Sequence, residues 1–353
     1  MKRTIFTKNE QKVVYGVSKY PNLNDSELSK KINVKLSTLT SIKKRLQNQG
    51  FYKTVTVPKL NNLGSELLAV IYTSFNPVIQ LEERIKTTKK TIEVFEEIFF
   101  SVGDQDKGFS ISLSKNYTNI GRINEIRTST FGKVGLLEDE YPHEVIFPFE
   151  TSNIYRFFDY ARVLKKTFKI EDKQKEKKKD YSCFKKTEFV NLSKKEKKVF
   201  IELIKNPDYT TKQIGDIVSL SRHSVSRMKK RFFENDLLKR IIVPNLKKLG
   251  FEILAFYPIK FNPSNYPKEN DLKFLDSSST VFFAQRQFEA VIISVYSNYQ
   301  DYKEDKMKKI RYLKENGFIS HTPLIGKYIV DKMEIIKDFD FPPIVKKIII
   351  ENE

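Results

Sequence analysis

Two stretches of the chain place short polar side chains just ahead of a run of three cations. The polar side chains are Ser37, Thr38 and Ser41 in the first stretch and His223, Ser224 and Arg227 in the second. The cations that follow are Lys43, Lys44 and Arg45, and then Lys229, Lys230 and Arg231. Such polar groups can hydrogen-bond to the edges of nucleic-acid bases, and the cations can bind phosphates. The pattern therefore favours double-stranded DNA as the ligand.

Arg227 is the strongest single candidate for reading a base. A guanidinium can hold guanine with two hydrogen bonds, worth about 1–3 kcal/mol of discrimination. Three like charges within one helical turn repel each other, and contacts with DNA phosphates would offset this repulsion. The further cations expected at phosphates are Lys53, Arg222, Lys239 and Arg240.

Both stretches belong to a repeat that spans most of the chain. Lys8–Pro77 aligns with Lys194–Pro263 without a gap, and the two Lys-Lys-Arg runs fall at equivalent positions. The match continues downstream, where Asn116-Tyr117 corresponds to Asn298-Tyr299. Because this period is far too long for a solenoid, it predicts two tandem copies that form an internal pseudo-dimer.

The first part of each copy has the pattern of three short helices and a strand. In copy two, Ser193 with Glu196 three residues later is typical of a capped helix start, and Ser221 precedes the basic helix. The alternating segments 51–58 and 237–244 end at prolines, as in edge strands. This order predicts a winged helix-turn-helix whose third helix enters the major groove. The alternative is a plain three-helix bundle with a solvated basic helix.

The rest of each copy has strands and helices in the order βαββαβ, which predicts a ferredoxin-like fold. The predicted fold class is therefore α+β, with two tandem copies of a winged helix-turn-helix plus a ferredoxin-like domain. The expected boundaries are 1–64 for winged helix one, 65–170 for ferredoxin-like domain one with a C-terminal helix, 171–190 for a lysine-rich linker, 191–250 for winged helix two, and 251–353 for ferredoxin-like domain two with a C-terminal extension.

Two segments of copy two carry a resemblance to a known family. Leu220–Phe232, followed by a strand and then by Leu249–Phe256, resembles the leucine-responsive/AsnC (feast/famine, Lrp/AsnC-like) transcription regulators. The resemblance covers nearly the whole chain, twice. It implies a winged helix joined to a ferredoxin-like, RAM-like domain that dimerises and often binds an amino acid as a small-molecule effector.

The resemblance also implies a glycine-containing turn near an effector pocket. Copy one matches it with Gly103, Asp104 and Asp106, whereas copy two has no glycine there and only Glu289 can stand for Asp106. A backbone that must adopt a positive φ loses its easiest residue without glycine. Effector binding is therefore expected in copy one if anywhere, and an ordinary hairpin turn is the alternative.

Each copy ends in a segment outside the resemblance. The apolar spacing of Tyr155–Phe168 favours a helix, whereas Pro342-Pro343 is expected to break its counterpart and leave Ile344–Ile350 as a short end element. The polar run Glu171–Asp180 is typical of a solvated linker or of a basic tether that touches the DNA backbone.

Composition limits the classes of protein. A net charge of +20 over 353 residues favours polyanionic partners, nucleic acid before an anionic membrane, although a lysine-rich solvated surface gives the same value. One cysteine, Cys183, and three histidines exclude a disulfide framework and argue against zinc, so neither metal nor cofactor is expected. No stretch resembles a membrane span or a signal peptide. We therefore expect a soluble, reduced, cytoplasmic protein.

The leading hypothesis is a sequence-specific transcription regulator that binds double-stranded DNA. The two reading helices differ in their contact residues, which predicts an asymmetric site with half-sites about 10 bp apart. Phosphate loops, HExxH and Gly-x-Ser-x-Gly motifs are absent, so we do not expect an enzyme. The alternatives are an architectural protein that coats DNA with little sequence preference and a module that docks onto other proteins. A monomer could suffice, and a homodimer stays open.

Overall fold

Each copy folds into three helices and a strand followed by an antiparallel sheet in the computed structural model, which describes residues 6–139, 141–171, 184 and 189–350. The predicted α+β class, with helix-turn-helix and ferredoxin-like parts, is confirmed. In copy one the helices are α1 (Lys8–Lys19), α2 (Asp25–Ile32), α3 (Leu36–Asn48), α4 (Leu81–Glu93), α5 (Tyr117–Lys133) and α6 (Ala161–Thr167). Its strands are β1 (Tyr52–Pro58), β2 (Leu67–Ser74), β3 (Ile98–Gly103), β4 (Lys107–Ser114), β5 (His143–Pro148) and β6 (Asn153–Arg156).

Copy two repeats this order of elements. Its helices are α7 (Lys194–Lys205), α8 (Thr211–Val218), α9 (Arg222–Glu234), α10 (Glu269–Leu272), α11 (Tyr299–Glu315) and α12 (Pro342–Ile350). Its strands are β7 (Leu238–Pro244), β8 (Ile253–Lys260), β9 (Thr280–Arg286), β10 (Glu289–Tyr296), β11 (Gly326–Ile329) and β12 (Glu334–Asp338).

Side-chain caps fix the starts of the helices in both copies. Thr7 and Glu10 form a capping box at α1, and Ser193 and Glu196 form the predicted one at α7. Ser221 accepts a hydrogen bond from the amide of Ser224 and caps α9 as expected. Each box satisfies amide groups that a helix start leaves without an intrahelical partner.

The strand after each third helix pairs with its counterpart from the other copy, because β1 and β7 form a two-stranded sheet. At one end the amide of Asn245 donates to the carbonyl of Phe51 at 2.8 Å, and at the other the amide of Lys59 donates to the carbonyl of Leu237 at 2.9 Å. The segment expected to be a wing is thus a ribbon to which both copies contribute, a pairing that spacing within one copy does not reveal.

One compact unit comprises residues 6–54, 153–171 and 240–331. It combines the helix-turn-helix of copy one with the sheet of copy two, whose strand order is β11-β8-β10-β9-β6. The first four strands have the ferredoxin-like order, and β6 adds a fifth strand with Ile154 opposite Ala284. Helix α6 packs on α1. An apolar cluster that includes Tyr257 and Leu313 lies in the core of this domain.

A second compact unit comprises residues 55–152, 184–239 and 332–350. It combines the helix-turn-helix of copy two with the sheet of copy one, whose order is β12-β3-β4-β2-β5. Here β12 is the added strand, with Ile335 opposite Val102, and α12 packs on α7. The core of this ferredoxin-like domain is divided into two apolar clusters, one around Ile71 and Ile123 and one around Phe75 and Phe131.

The segments that end each copy differ from the sequence prediction. The segment Tyr155–Phe168 is not one helix, because Asn153–Arg156 forms β6 and α6 begins only at Ala161. The edge of β9 offers backbone groups that a strand can pair with, and this outweighs the local apolar spacing. Helix α12 begins at Pro342, because proline is tolerated in the first turn, where its missing N–H is not needed.

Two expectations fall partly or wholly outside this description. The expected linker or tether, Glu171–Asp180, lies outside the described residues except for Glu171, and Cys183 lies outside them too. None of the helices in the described ranges is long and apolar enough to cross a bilayer.

Candidate nucleic-acid interface

The polar face of α3 is open to solvent. Leu39, Ile42 and Leu46 are buried on one side of the helix. Ser37 and Ser41 are exposed on the other side and Thr38 is half-buried. Among the described residues these three hydroxyls have no side-chain hydrogen-bond partner. The helix therefore presents uncommitted hydroxyls along one face, as a base-reading helix must.

The corresponding face of α9 carries larger groups. Arg222, His223 and Arg227 are exposed, and no other side chain in the described ranges binds them. Ser224 is half-buried, and its hydroxyl lies 3.0 Å from that of Ser221. Three of these predicted contact residues lie in the first turn and a half of α9, where the helix dipole is positive and recognition helices meet DNA.

The cation runs are less free than their sequence suggests. Lys43 donates to Asp25 at 2.6 Å, which ties α3 to the start of α2. Lys44 is exposed and has no ion-pair partner in the described residues. Lys230 lies 3.7 Å from Glu234, but both side chains are more than half exposed, so this pair leaves the ammonium accessible. Lys229 is half-buried.

The third cation of each run has the same internal partner in both copies. Arg45 binds Glu10, and Arg231 binds Glu196. These glutamates are the residues of the capping boxes, so each pair connects the first helix of its domain to the third. About half of each arginine side chain stays exposed, 52% and 48%. The recurrence of both the glutamate and the arginine at equivalent positions of the sequence is the signal that identifies this pair, which the prediction of phosphate contacts alone does not include.

The remaining predicted phosphate contacts lie on the two-stranded ribbon. Lys53 is on β1, and Lys239 and Arg240 are on β7. All three side chains are half-buried, and each has a partner within the protein. They are therefore less available to a ligand than Lys44 and Lys230.

The predicted effector turn is a tight connection between β3 and β4. The amide of Asp104 donates to the carbonyl of Lys107 at 2.8 Å, and Asp106 pairs with Lys107. Gly103 does not have a positive φ, contrary to expectation. Gly103 instead lets the Arg84 side chain approach closely, because a Cβ would lie 3.0 Å from Nη1 of Arg84.

In copy two the turn is shorter. Strand β9 ends at Arg286 and β10 begins at Glu289, which pairs with Arg286. Glu289 is thus the first residue of its strand, as Lys107 is in copy one, and does not take the place of Asp106.

Known proteins share the fold of this chain. No protein-family model matches it, and no curated protein matches it. Two crystal structures of the siroheme decarboxylase NirDL, one with an iron-uroporphyrin III analogue, each align with 98% of this chain at a TM-score of 0.52. They cover 100% and 99% of NirDL at 10% and 9% identity. At this identity the likeness shows the fold alone.

Regulators also share part of the fold. A transcriptional regulator of Neisseria meningitidis in complex with L-Met aligns with 40% of this chain at 16% identity, and an AsnC-family regulator of Pyrococcus furiosus aligns with 41% at 21% identity. These alignments cover 90% and 89% of the regulators. Both have a TM-score of 0.31, too low to support an argument about function.

The prediction that the chain is not an enzyme is wrong as a deduction from missing motifs. NirDL is named as a decarboxylase, and its fold matches along almost the full length of this chain. An enzyme can therefore have this architecture. The absence of those motifs excludes nothing here.

Proposed function

We propose that this protein is a transcription regulator that binds a specific sequence of double-stranded DNA through α3 and α9. The observation that carries the proposal is the free polar face of each helix. Ser37 and Ser41 on α3, and His223 and Arg227 on α9, are exposed and have no partner among the described residues. Side chains kept free at equivalent positions of two domains are available to base edges.

Helices α3 and α9 differ in how strongly their side chains can discriminate between bases. The hydroxyls of α3 can donate to or accept from several bases, so they give modest selectivity. Arg227 on α9 can hold guanine through two hydrogen bonds, so it gives stronger selectivity. An asymmetric recognition site follows from this difference, because the two reading faces are not chemically equivalent.

Phosphate binding is assigned chiefly to Lys44 and Lys230. Both are exposed, and neither is held by a buried partner. Arg45 and Arg231 contribute their exposed halves while they keep their helices together. Counterion release by these groups would make binding weaken steeply as salt rises.

Selection of bound duplexes from a random pool tests the proposal. We expect a recurring, asymmetric sequence, bound at least ~10³ times more tightly than unrelated DNA at physiological salt. A ratio near one would instead identify an architectural protein that coats DNA. Absence of binding at low salt would contradict both.

Matched variants then test the roles. Arg227→Ala should lose about 1–3 kcal/mol of discrimination at one base pair. Lys44→Ala should weaken all sequences alike and lower the slope of log K against log salt by about 0.9. Lys314→Ala removes the same charge from an exposed site on α11 and should change neither quantity. Identical effects of the first two variants would contradict this division of roles.

A further inference from the structure

A polar band crosses the core of the ferredoxin-like domain of copy one. Along β2 the inward residues run from Ile71 through Thr73 to Phe75, and along α5 they run from Ile123 through Arg127 to Phe131. Each element thus passes from one apolar cluster through a polar residue to the other cluster. The polar residues lie in the same layer, between the sheet and its helices.

Helix α4 follows the same sequence of apolar and polar positions. Ile92 belongs to the first cluster, Ile79 before the helix packs on the second, and Thr88 and Arg84 lie between them. Both polar residues are buried, with exposures of 2% and 0%. Two helices and a strand therefore contribute to one buried polar layer.

Arg127 is the charge at the centre of this layer. Its side chain is 2% exposed. Nη1 donates to the hydroxyl of Ser110 at 2.8 Å, and Nε has no partner among the described residues. Burial lowers the pKa of Arg127 to about 10, and no neighbouring carboxylate opposes that shift. A guanidinium held this way is a cation without a counterion.

Two hydroxyl groups of this layer also lack partners. Thr73 on β2 and Thr88 on α4 are buried, and their hydroxyl oxygens have no hydrogen-bond partner in the described structure. Buried polar atoms are rarely left unsatisfied, and a group of them calls for a missing partner.

The carboxylates nearby are already engaged. Glu144, opposite Ile71 on the same face of the sheet, accepts hydrogen bonds from Tyr117 at 2.8 Å and Asn124 at 3.2 Å. Glu97 pairs with Lys347 at 2.8 Å. Neither forms an ion pair with Arg127 within the described residues.

A second guanidinium borders the layer. Arg84 lies over the ring of Phe75, with 4.8 Å from its guanidinium carbon to the ring centroid, and packs against Gly103. Gly103 pairs with Gly108, which precedes Ser110 by two residues on β4. The contact points of the two arginines on the sheet are therefore about 7 Å apart along the strand direction.

Two cross-strand pairs that border this layer are apolar in copy two. The cross-strand pair Phe283 and Ile292 occupies the place of Ser101 and Ser110. Likewise Ile259 and Ala290 occupy the place of Thr73 and Gly108, which completes the comparison. Copy one therefore has a hydroxyl group or glycine where copy two has a larger apolar side chain.

Copy two also supplies its own counterion. Lys309 on α11 takes the position of Arg127 and binds Asp305, one helical turn earlier. The residue at the position of Asp305 in copy one is Ile123, which is buried in the apolar cluster. In copy two the buried cation is neutralised by a carboxylate of its own helix, whereas copy one has an isoleucine at the position of that carboxylate.

We propose that the polar layer around Arg127 binds a compact carboxylate from outside the chain. The carboxylate would accept from the guanidinium of Arg127 and from the hydroxyls of Thr73 and Thr88. The negative charge of a carboxylate would neutralise Arg127, and a planar carboxylate fits the planar guanidinium. The site stands apart from the DNA-binding proposal, since it can be measured without DNA.

Thermal unfolding and calorimetry of the full chain at constant ionic strength test this site. The probes are acetate and longer straight-chain monocarboxylates, with chloride as the reference anion. We expect a saturable rise in Tm of about 2 °C at ten times Kd. Arg127→Met should weaken carboxylate binding at least tenfold, whereas Lys314→Met on exposed α11 should leave it unchanged.

A second variant moves the counterion arrangement of copy two into copy one. Ile123→Asp places an acid one turn before Arg127, and we expect it to abolish the response to carboxylates. Carboxylates that act no better than chloride would overturn the proposal, as would an Arg127→Met protein that responds like the parent. Stronger binding of inorganic phosphate or of uroporphyrin III would overturn the assignment to a compact carboxylate.

Discussion

The helix-turn-helix regions and the ferredoxin-like cores of the two copies treat their cations differently. In both helix-turn-helix regions the third cation of the basic run pairs with a capping glutamate, Arg45 with Glu10 and Arg231 with Glu196. In the cores, Lys309 has a carboxylate beside it and its counterpart Arg127 has none.

This difference distinguishes interactions that both copies share from one that occurs in a single copy. An ion pair that holds two helices together occurs in both copies, so it belongs to the common architecture. A buried cation without a counterion is costly. Its presence in one core only is better explained by binding than by folding.

The largest effect on stability is expected when Asp305, the counterion of Lys309 in copy two, is removed. Asp305→Ala leaves Lys309 buried without its paired carboxylate, with the hydroxyl of Ser277 still at 2.9 Å, and it should lower the free energy of unfolding by about 3–5 kcal/mol. Urea denaturation measures this change. Asp331→Ala, which removes an exposed partner of Lys247, is the matched control and should cost no more than about 1 kcal/mol. Equal losses would mean that the buried pair has no special weight.

Lowering the pH should remove the contribution of the Asp305 carboxylate to stability. Burial tends to raise the pKa of Asp305, but the adjacent Lys309 and the hydroxyl of Tyr296 lower it overall. A carboxyl with a lowered pKa in the folded state contributes stability above its ordinary pKa of about 3.9 and loses it as pH falls through the folded-state pKa. Unfolding free energy measured down that range should decrease for the parent, and less for Asp305→Ala.

Arg127→Met should stabilise the protein, whereas Asp305→Ala should destabilise it. It removes an uncompensated cation and keeps the volume, so in the absence of ligand the free energy of unfolding should rise by roughly 1–2 kcal/mol, the lower part of the range for such replacements. Urea denaturation in chloride buffer measures it. A loss of stability would show that Arg127 is satisfied within the protein, and the contrast between the cores would then disappear.

The smallest effect concerns the pairs that the copies share. Arg45→Ala and Arg231→Ala should each reduce the free energy of unfolding by about 0–1 kcal/mol, because both arginines are half exposed. The two losses should agree closely, since the geometry is the same in both copies. A large difference between them would contradict the similarity of the two helix-turn-helix regions.

Local chemistry was readable from the sequence. The pair Ser193 and Glu196 predicted the start of α7, and the order of apolar and β-branched runs predicted both βαββαβ domains. These features depend on residues close together in the chain. The exposure of the polar faces of α3 and α9 follows from the same local spacing.

Long-range pairings were not readable. Nothing near Asn153–Arg156 marks it as the partner of β9, and the proline-terminated strands gave no sign that β1 pairs with β7. The buried cations are an intermediate case. Asp305 and Lys309 are one turn apart in the sequence, but burial gives the pair its meaning, and burial depends on the whole domain.

The added strands β6 and β12 make the two halves of the gene product interdependent. The segment after the first ferredoxin-like domain completes the sheet of the second, and the segment after the second completes the sheet of the first. A polypeptide cut between the copies would leave β3 and β9 as bare edges that attract other chains. The separated halves should therefore aggregate when made alone and recover their fold when made together. Fusion of the two copies in one chain guarantees that each half is made in the same amount as the half that completes its sheet.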